Sequence, residues 1–329
     1  MNTTRRLPAL GAGAAALVLA TTACGAELAT GPGAETVAVA RCGETVEYTV
    51  PERAVVYEAG SADKLFVLGL VDHVHGYVMP PANPPVEQSP FAEDYAQVEF
   101  LSDDLLNREL VVDAGADLVV AGWNSGFSDE RGITPEILDG LGIQSFMHTE
   151  SCFNYPEYPE RTTPLEGLYT DLERLGQIFG VEDEAAEVVD DFKERVAAVA
   201  AAAPEGEPLK VFLYDSGTDQ PYTAGNQVPP HDIFTVAGAE NIFGDLDERW
   251  TQVGWEPVVE AQPDIIAILD YRDQPAEEKI EFLKTNPNTA DLPAVQDDRF
   301  FILDYNEAIS GPRVIDGMEA FSDYLQDLR

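Results

Sequence analysis

Positive charge is the scarcest commodity in this chain. Its 329 residues hold 19 Lys and Arg against 60 Asp and Glu, a formal net charge of −41. A nucleic-acid partner is thereby excluded, since phosphate binding needs a basic face. The acidity fits a solvated surface suited to high salt; attraction of a cationic ligand is the sharper alternative. Catalytic signatures are missing as well. There is no Gly-rich phosphate loop and no HExxH pair. The stretch Gly122-Trp-Asn-Ser125-Gly126 places its serine one residue late for a nucleophile elbow, and no Asp and His follow in order. Paired carboxylates carry no information in a chain this acidic. A secreted hydrolase is therefore the weakest reading, and the chain is not expected to be an enzyme. Long apolar runs are also lacking: Leu7–Ala20 is too short to span a bilayer.

Cysteine is sparse, with three in all. The first sits in an export signal. Arg5 and Arg6 form a positive start, Leu7–Ala20 is an apolar Ala-rich stretch, and Thr21-Thr22-Ala23-Cys24 follows. This resembles a bacterial lipoprotein signal over residues 1–23, with lipid carried on Cys24. Thr21 stands where such signals usually have Leu. An ordinary secretory peptide cut near Ala23 is the alternative, and the Arg pair fits the twin-arginine route only loosely. The expected location is the outer face of the bacterial cytoplasmic membrane, on a Gly/Ala tether over residues 24–35. Export favours oxidation, so a Cys42–Cys152 disulfide is expected, with two free thiols the alternative.

Helical periodicity organises the rest. From Leu165 to Ala203 the chain reads as two helices broken at Gly180 and stopped by Pro204. Ala185, Val188, Val189, Phe192, Val196 and Val199 share one face of the second helix. Such a rod could connect two domains without being the core of either. A repeat flanks it. Glu109-Leu-Val-Val-Asp-Ala-Gly-Ala-Asp117 upstream matches Glu256-Pro-Val-Val-Glu-Ala-Gln-Pro-Asp264 downstream, and an apolar strand follows each. The fold class is thus α/β: two Rossmann-like lobes of mostly parallel sheet, residues 36–164 and 205–329, joined by linking helices over 165–204.

In parallel sheets, ligands sit beyond the carboxyl ends of the strands. Those ends carry Tyr57, Trp123, Ser125 and Phe127 in the first lobe, and Tyr214, Tyr222, Tyr271 and Tyr305 in the second; Trp250 and Trp255 are close by in sequence. An aromatic cleft with a few hydroxyls suits a bulky, partly apolar small molecule. Arg272 and Arg313 are the candidates to pair with a ligand carboxylate or an anionic complex. A metal-ion receptor would have to use His73, His75, His148 and His231; packing explains these equally well, and no protein metal site is expected.

Three stretches carry a family resemblance: Pro51-Glu-Arg-Ala-Val-Val with Lys64-Leu-Phe-Val-Leu-Gly-Leu, the Glu109/Asp117 and Glu256/Asp264 blocks, and Trp250-Thr-Gln-Val-Gly-Trp-Glu256. From Cys42 to the C-terminus the chain resembles the periplasmic binding proteins for ferric siderophores, haem and cobalamin. The resemblance implies two α/β lobes on a backbone helix and a lipid-anchored, monomeric receptor feeding an ABC importer. By position, Glu109 and Glu256 match the surface glutamates that dock on the permease. The implied ligand is a small-molecule iron chelate, a ferric siderophore first, with haem or a corrinoid next and a zinc or manganese ion as the rival. No cofactor of the protein's own is implied.

Overall fold

The segment Ala54-Val55-Val56-Tyr57 is apolar at every position, and all four residues are buried. A strand covered on both faces reads this way, and the computed structural model of the chain is built on two sheets of such strands. It describes Met1 and residues 36–123, 126–154, 162–271 and 273–328. The expected signal, tether and Cys24 lie outside those residues, as do Ser125 and Arg272.

In chain order, an antiparallel hairpin, β1 (Thr36–Arg41) and β2 (Glu44–Thr49), precedes the first lobe. Its elements are β3 (Ala54–Tyr57), α1 (Glu58–Val67), β4 (Val74–Val78), α2 (Ala92–Tyr95), β5 (Glu99–Ser102), α3 (Arg108–Asp113), β6 (Leu118–Ala121), α4 (Pro135–Asp139) and β7 (Gln144–Met147). The five strands from β3 to β7 form a parallel sheet in the order β5-β4-β3-β6-β7. Two helices follow, α5 (Pro164–Phe179) and α6 (Glu182–Ala202). The second lobe has β8 (Lys210–Tyr214), β9 (Tyr222–Ala224), α7 (Pro229–Val236), β10 (Glu240–Asn241), β11 (Trp250–Gln252), α8 (Trp255–Ala261), β12 (Ile265–Asp270), α9 (Ala276–Thr285), α10 (Pro293–Gln296), β13 (Phe300–Asp304) and α11 (Val314–Asp327). Its parallel sheet runs β10-β8-β12-β13, while β9 and β11 pair as a separate antiparallel ribbon. The α/β fold class therefore holds. No helix among the described residues is long and apolar enough to cross a membrane.

The repeat has a structural meaning. Asp117 accepts backbone N–H bonds from Glu52 (2.7 Å) and Arg53 (2.9 Å), just before β3. Asp264 accepts one from Lys210 (2.8 Å), the first residue of β8. Each aspartate thus pins the start of the strand beside its own, satisfying N–H groups that the ladder leaves open.

One expectation needs correction. The linking helices do not stand apart from the cores. Leu168, Leu172, Leu175 and Ile178 of α5 and Val189 of α6 are buried in one continuous core. That core also holds Ala54 and Val56 of β3 and Val211 and Leu213 of β8. An amphipathic face must be buried somewhere, and here both sheets share it. Gly180 does break the pair, in the left-handed conformation (φ 71°) that lets α5 end there. Residues Glu58–Ser61 form the first turn of α1. Helix α3 begins at Arg108, where the Asn107 side chain caps it by accepting from Leu110 N at 3.0 Å.

Cys42 and Cys152 are joined as a disulfide that closes 110 residues and ties the hairpin to the end of the first lobe. Residues Glu35–Arg329 cluster as one compact unit.

Candidate functional site

The carboxyl ends of both sheets face one cavity of about 310 Å³. This lies at the small end of the range for small-molecule pockets, roughly 300–1,000 Å³. The first lobe supplies Glu58 after β3, Trp123 after β6, and His148, Glu150 and Ser151 after β7. The second supplies Asp215 after β8, Tyr271 after β12, Tyr305 after β13, and Tyr222, Arg249 and Trp250 at the β9–β11 ribbon. Five of the residues expected at the site are therefore together: Trp123, Tyr222, Trp250, Tyr271 and Tyr305.

Two tyrosines of the second lobe are held by carboxylates. Tyr305 donates its hydroxyl to Glu58 Oε1 at 3.0 Å, across the lobes. Tyr271 donates to Asp215 Oδ2 at 2.8 Å. The two rings lie 5.0 Å apart. Burial pushes the Tyr305 and Tyr271 hydroxyls well above the ordinary tyrosine range, so both stay protonated and serve as donors. Burial also raises Asp215, against the hydrogen bonds from Tyr271 and Ser216 that favour its charged form. Glu58 has φ 62°, a left-handed conformation costing a non-glycine residue of order 1–3 kcal/mol. Its carboxylate is delivered into the cavity at that cost. On the ribbon, the Tyr222 and Trp250 rings stack at 6.4 Å.

A second bond crosses between the lobes. Arg249 donates to Glu150 Oε1 at 2.7 Å, and the Glu150 side chain is 7% exposed. Glu150 Oε2 and Arg249 Nε are buried without hydrogen-bond partners. His148 is buried, with Nε2 2.9 Å from Ser61 Oγ. Burial, and then the nearby charges of Lys64 and Arg249, hold it well below the usual histidine range, so it is neutral.

Beneath the cavity, Lys64 of α1 is fully buried. It lies 2.8 Å from Asp171 Oδ2 of α5, which is equally buried. Lys64 also donates to Ser310 Oγ of the second lobe at 3.2 Å, and Asp171 Oδ1 accepts from Thr149 N at 2.8 Å. Here the two lobes are in direct contact. A Cβ on Gly60 would stand 2.4 Å from the Ser310 carbonyl oxygen, so only glycine fits.

Several expected residues are elsewhere. Tyr57 and Tyr214 end β3 and β8, but strand alternation sends them to the outer faces. Tyr57 packs with Val55, and Tyr214 with Phe212, away from the cleft. Phe127 is fully buried in the outer core of the first lobe. Its N–H bonds back to Gly122 O at 2.8 Å, and Gly126 lies against Ala121, where a Cβ would clash at 2.4 Å. Trp255 opens α8, packs against Tyr214 and Phe282, and donates to Thr218 O at 2.9 Å. Arg313 is engaged internally, 3.3 Å from Asp304. Among the described residues, the arginine that lines the cavity is Arg249. Glu109 and Glu256 are exposed in the first turns of α3 and α8.

The histidines are tied to separate partners: His73 to Pro51 O at 2.7 Å, His75 to Arg53 at 2.9 Å, and His148 to Ser61. His231 lies on α7. Among the described residues no group of three His, Cys, Asp or Glu could hold a metal ion.

Comparison with known proteins agrees with this geometry. A periplasmic binding protein from Veillonella parvula superposes with a TM-score of 0.75 at 26% identity, covering 89% of this chain and 98% of that one. An ABC-type Fe3+-hydroxamate transport protein from Saccharomonospora viridis gives 0.73 at 25% identity, covering 88% and 98%. The vitamin B12-binding protein of Yersinia pestis is 24% identical over 169 residues, which is 51% of this chain and 54% of that protein. The chain thus spans about half the length of the curated relatives it matches. These relatives are binding proteins rather than enzymes. The family model described as periplasmic binding protein matches residues 55–307, most of the chain, and the chain belongs to that family.

Proposed function

We propose that this protein is the lipid-anchored, monomeric receptor of an ABC importer and captures an iron chelate, a ferric siderophore, in the cleft between its lobes. One observation carries the reading: five aromatic side chains, contributed by both lobes, face a single cavity at the strand ends. Flat rings with hydroxyl edges suit a bulky chelate whose metal is already coordinated by its own ligand. Such cargo needs no metal ligand from the protein. The Saccharomonospora relative, named for Fe3+-hydroxamate transport, supports the siderophore class over haem. Delivery would use Glu109 and Glu256, each exposed at a helix start where the dipole favours a carboxylate. Basic residues of a permease are their expected partners, and lipid on Cys24 would hold the receptor at the membrane.

Tryptophan fluorescence of the purified full chain tests the reading, because Trp123 and Trp250 both line the cavity. The panel is ferric hydroxamates, ferric catecholates, haem, cobalamin, zinc and manganese. Saturable micromolar or tighter binding of a ferric siderophore is the expected result. Binding of haem or cobalamin alone would reassign the cargo, and a response to zinc or manganese alone would refute the chelate reading.

A further inference from the structure

The Cys42–Cys152 bond has one end beside the cavity wall. Residues Thr149–Asn154 form a short 3-10 helix just after β7, and Cys152 is the fourth of them. Its side chain packs in the outer core of the first lobe and is 1% exposed. The two residues before it, Glu150 and Ser151, line the cavity. Each of these meets a second piece of the wall. Glu150 Oε1 accepts from Arg249 of the other lobe at 2.7 Å. Ser151 Oγ accepts from the backbone N–H of Trp123 at 2.9 Å. Trp123 and Arg249 line the same cavity. A covalent anchor therefore stands next to the segment through which these wall residues are joined.

At its other end the bond is not needed to attach the hairpin. Tyr48 donates its hydroxyl to Ser145 O at 2.8 Å, Arg41 donates to Ser145 Oγ at 2.8 Å, and Thr49 N donates to Gln144 Oε1 at 2.7 Å. These bonds already fasten β1 and β2 to β7. Val39 and Tyr48 are also buried in the core that both sheets share. Cys42 sits in the tight turn of the hairpin, with φ 44°. What the disulfide adds is a fixed point past the end of β7, where the sheet ladder no longer holds the chain. The contact across the cleft gains most from such a point. Glu150 Oε2 and Arg249 Nε are buried without partners, so the pair makes one hydrogen bond where a bidentate fork makes two. Both are long side chains that lose rotamer freedom when they are ordered against a ligand, and a fixed backbone under Glu150 lowers that loss in advance.

Resting on the chelate reading above, we infer that Cys42 and Cys152 are positioning residues for the cargo: their bond fixes the segment Thr149–Asn154, and through Glu150 and Ser151 it sets where Arg249 and Trp123 meet the ligand.

The test opens the bond in the full chain in two ways: Cys42→Ser with Cys152→Ser, and dithiothreitol reduction of the parent. Circular dichroism checks that each form is folded at the temperature used, and reduction carries the measurement if the serine variant does not fold. The probe is a gallium trihydroxamate, a stand-in for the ferric complex that the reductant leaves intact. Isothermal titration calorimetry should show binding weakened about tenfold when the bond is open. Phe321→Leu, in the buried core on α11, lowers stability without touching this wall and should keep the parental affinity. Glu150→Gln should change affinity in the parent and lose most of that effect once the bond is open, because residues acting through one contact are not additive. Hydrogen exchange reads the positioning with no cargo present. The amides of Trp123 and of Glu150 to Cys152 should exchange faster in the open form, while those of β1 and β2 keep their rates. Parental affinity in the open form, an equal loss in Phe321→Leu or full additivity of Glu150→Gln overturns the inference, as does a hairpin that loosens together with the segment. A parent that binds no trihydroxamate refutes the chelate reading instead, and the exchange rates alone then decide whether the bond positions the wall.

Discussion

Replacing Lys64 by Met tests the buried joint beneath the cavity. Met matches the length of the lysine stem and removes its charge. Lys64 and Asp171 have no exposed side-chain surface and lie 2.8 Å apart. Asp171 keeps its bond from Thr149 N but loses its counter-charge. Breaking one side of a buried pair costs about 3–5 kcal/mol, because the remaining charge stays out of water. In a protein of this size that is a fall in Tm of roughly 5–8 °C, readable by scanning calorimetry. The bond to Ser310 Oγ goes too, so the contact between the lobes loosens. The second half of the test is Lys64→Met with Asp171→Asn. Asn still accepts from Thr149 N and carries no charge, so the pair of changes should recover at least about half of the loss. A Lys64→Met protein melting within about 2 °C of the parent would refute the reasoning, since the pair would then be screened like a surface ion pair. A double variant no better than the single one would show that shape, not charge, is lost.

Other outcomes follow from the same structure. Cys42→Ser with Cys152→Ser opens a loop of 110 residues and should cost up to about 5 kcal/mol through the freer unfolded chain, seen as a lower denaturation midpoint that reduction of the parent reproduces. Gly60→Ala forces a Cβ against the Ser310 carbonyl and should destabilise by about 1–3 kcal/mol while weakening chelate binding; unchanged calorimetry and titration would contradict the contact. Burial raises Asp63 to about 7, Asp232 to about 6 and Glu307 to about 7. Each holds its proton in the folded state at a pH where the unfolded chain has released it, so their contribution to stability grows as pH falls from about 7 towards about 4. Tm should rise over that window, and Asp63→Asn, which can still accept from Tyr95, should flatten the rise; a Tm that falls steadily from pH 7 to 5 would refute this.

The sequence was most legible where periodicity and punctuation act together. Gly180, Pro204 and the apolar stripe of Val189, Phe192 and Val199 predicted the paired helices. The Glu-to-Asp repeat predicted the paired lobes, because each aspartate performs the same pinning task. At the site, Trp123, Tyr222, Trp250, Tyr271 and Tyr305 stood out because aromatics at strand ends are few. Tyr57 and Tyr214 fell on the wrong side by strand parity, which an apolar run buried on both faces does not reveal. Glu58, Glu150 and Asp215 were invisible for the opposite reason. Among 60 acidic residues a carboxylate has no contrast. The available signal was position: Glu58 and Asp215 are each the first residue after the leading strand of a lobe. Arg249 was overlooked beside Trp250, although scarce cations in loops were the right place to search.

The paired aspartate pins also give the molecule a pair of levers. Glu109 lies in the first turn of α3, whose chain runs on to Asp117; Asp117 grips the backbone entering β3, and β3 leads directly into Glu58. Glu256 lies in the first turn of α8, which leads to Asp264; Asp264 grips Lys210 at the head of β8, and β8 leads directly into Asp215. A pull at either proposed docking glutamate would therefore travel through one helix, one carboxylate clamp and one short strand of roughly 13–17 Å to a cavity carboxylate. Twofold repetition makes the two transmissions alike, so a permease gripping both glutamates could part the walls of the cleft and weaken the hold on its cargo in a single stroke.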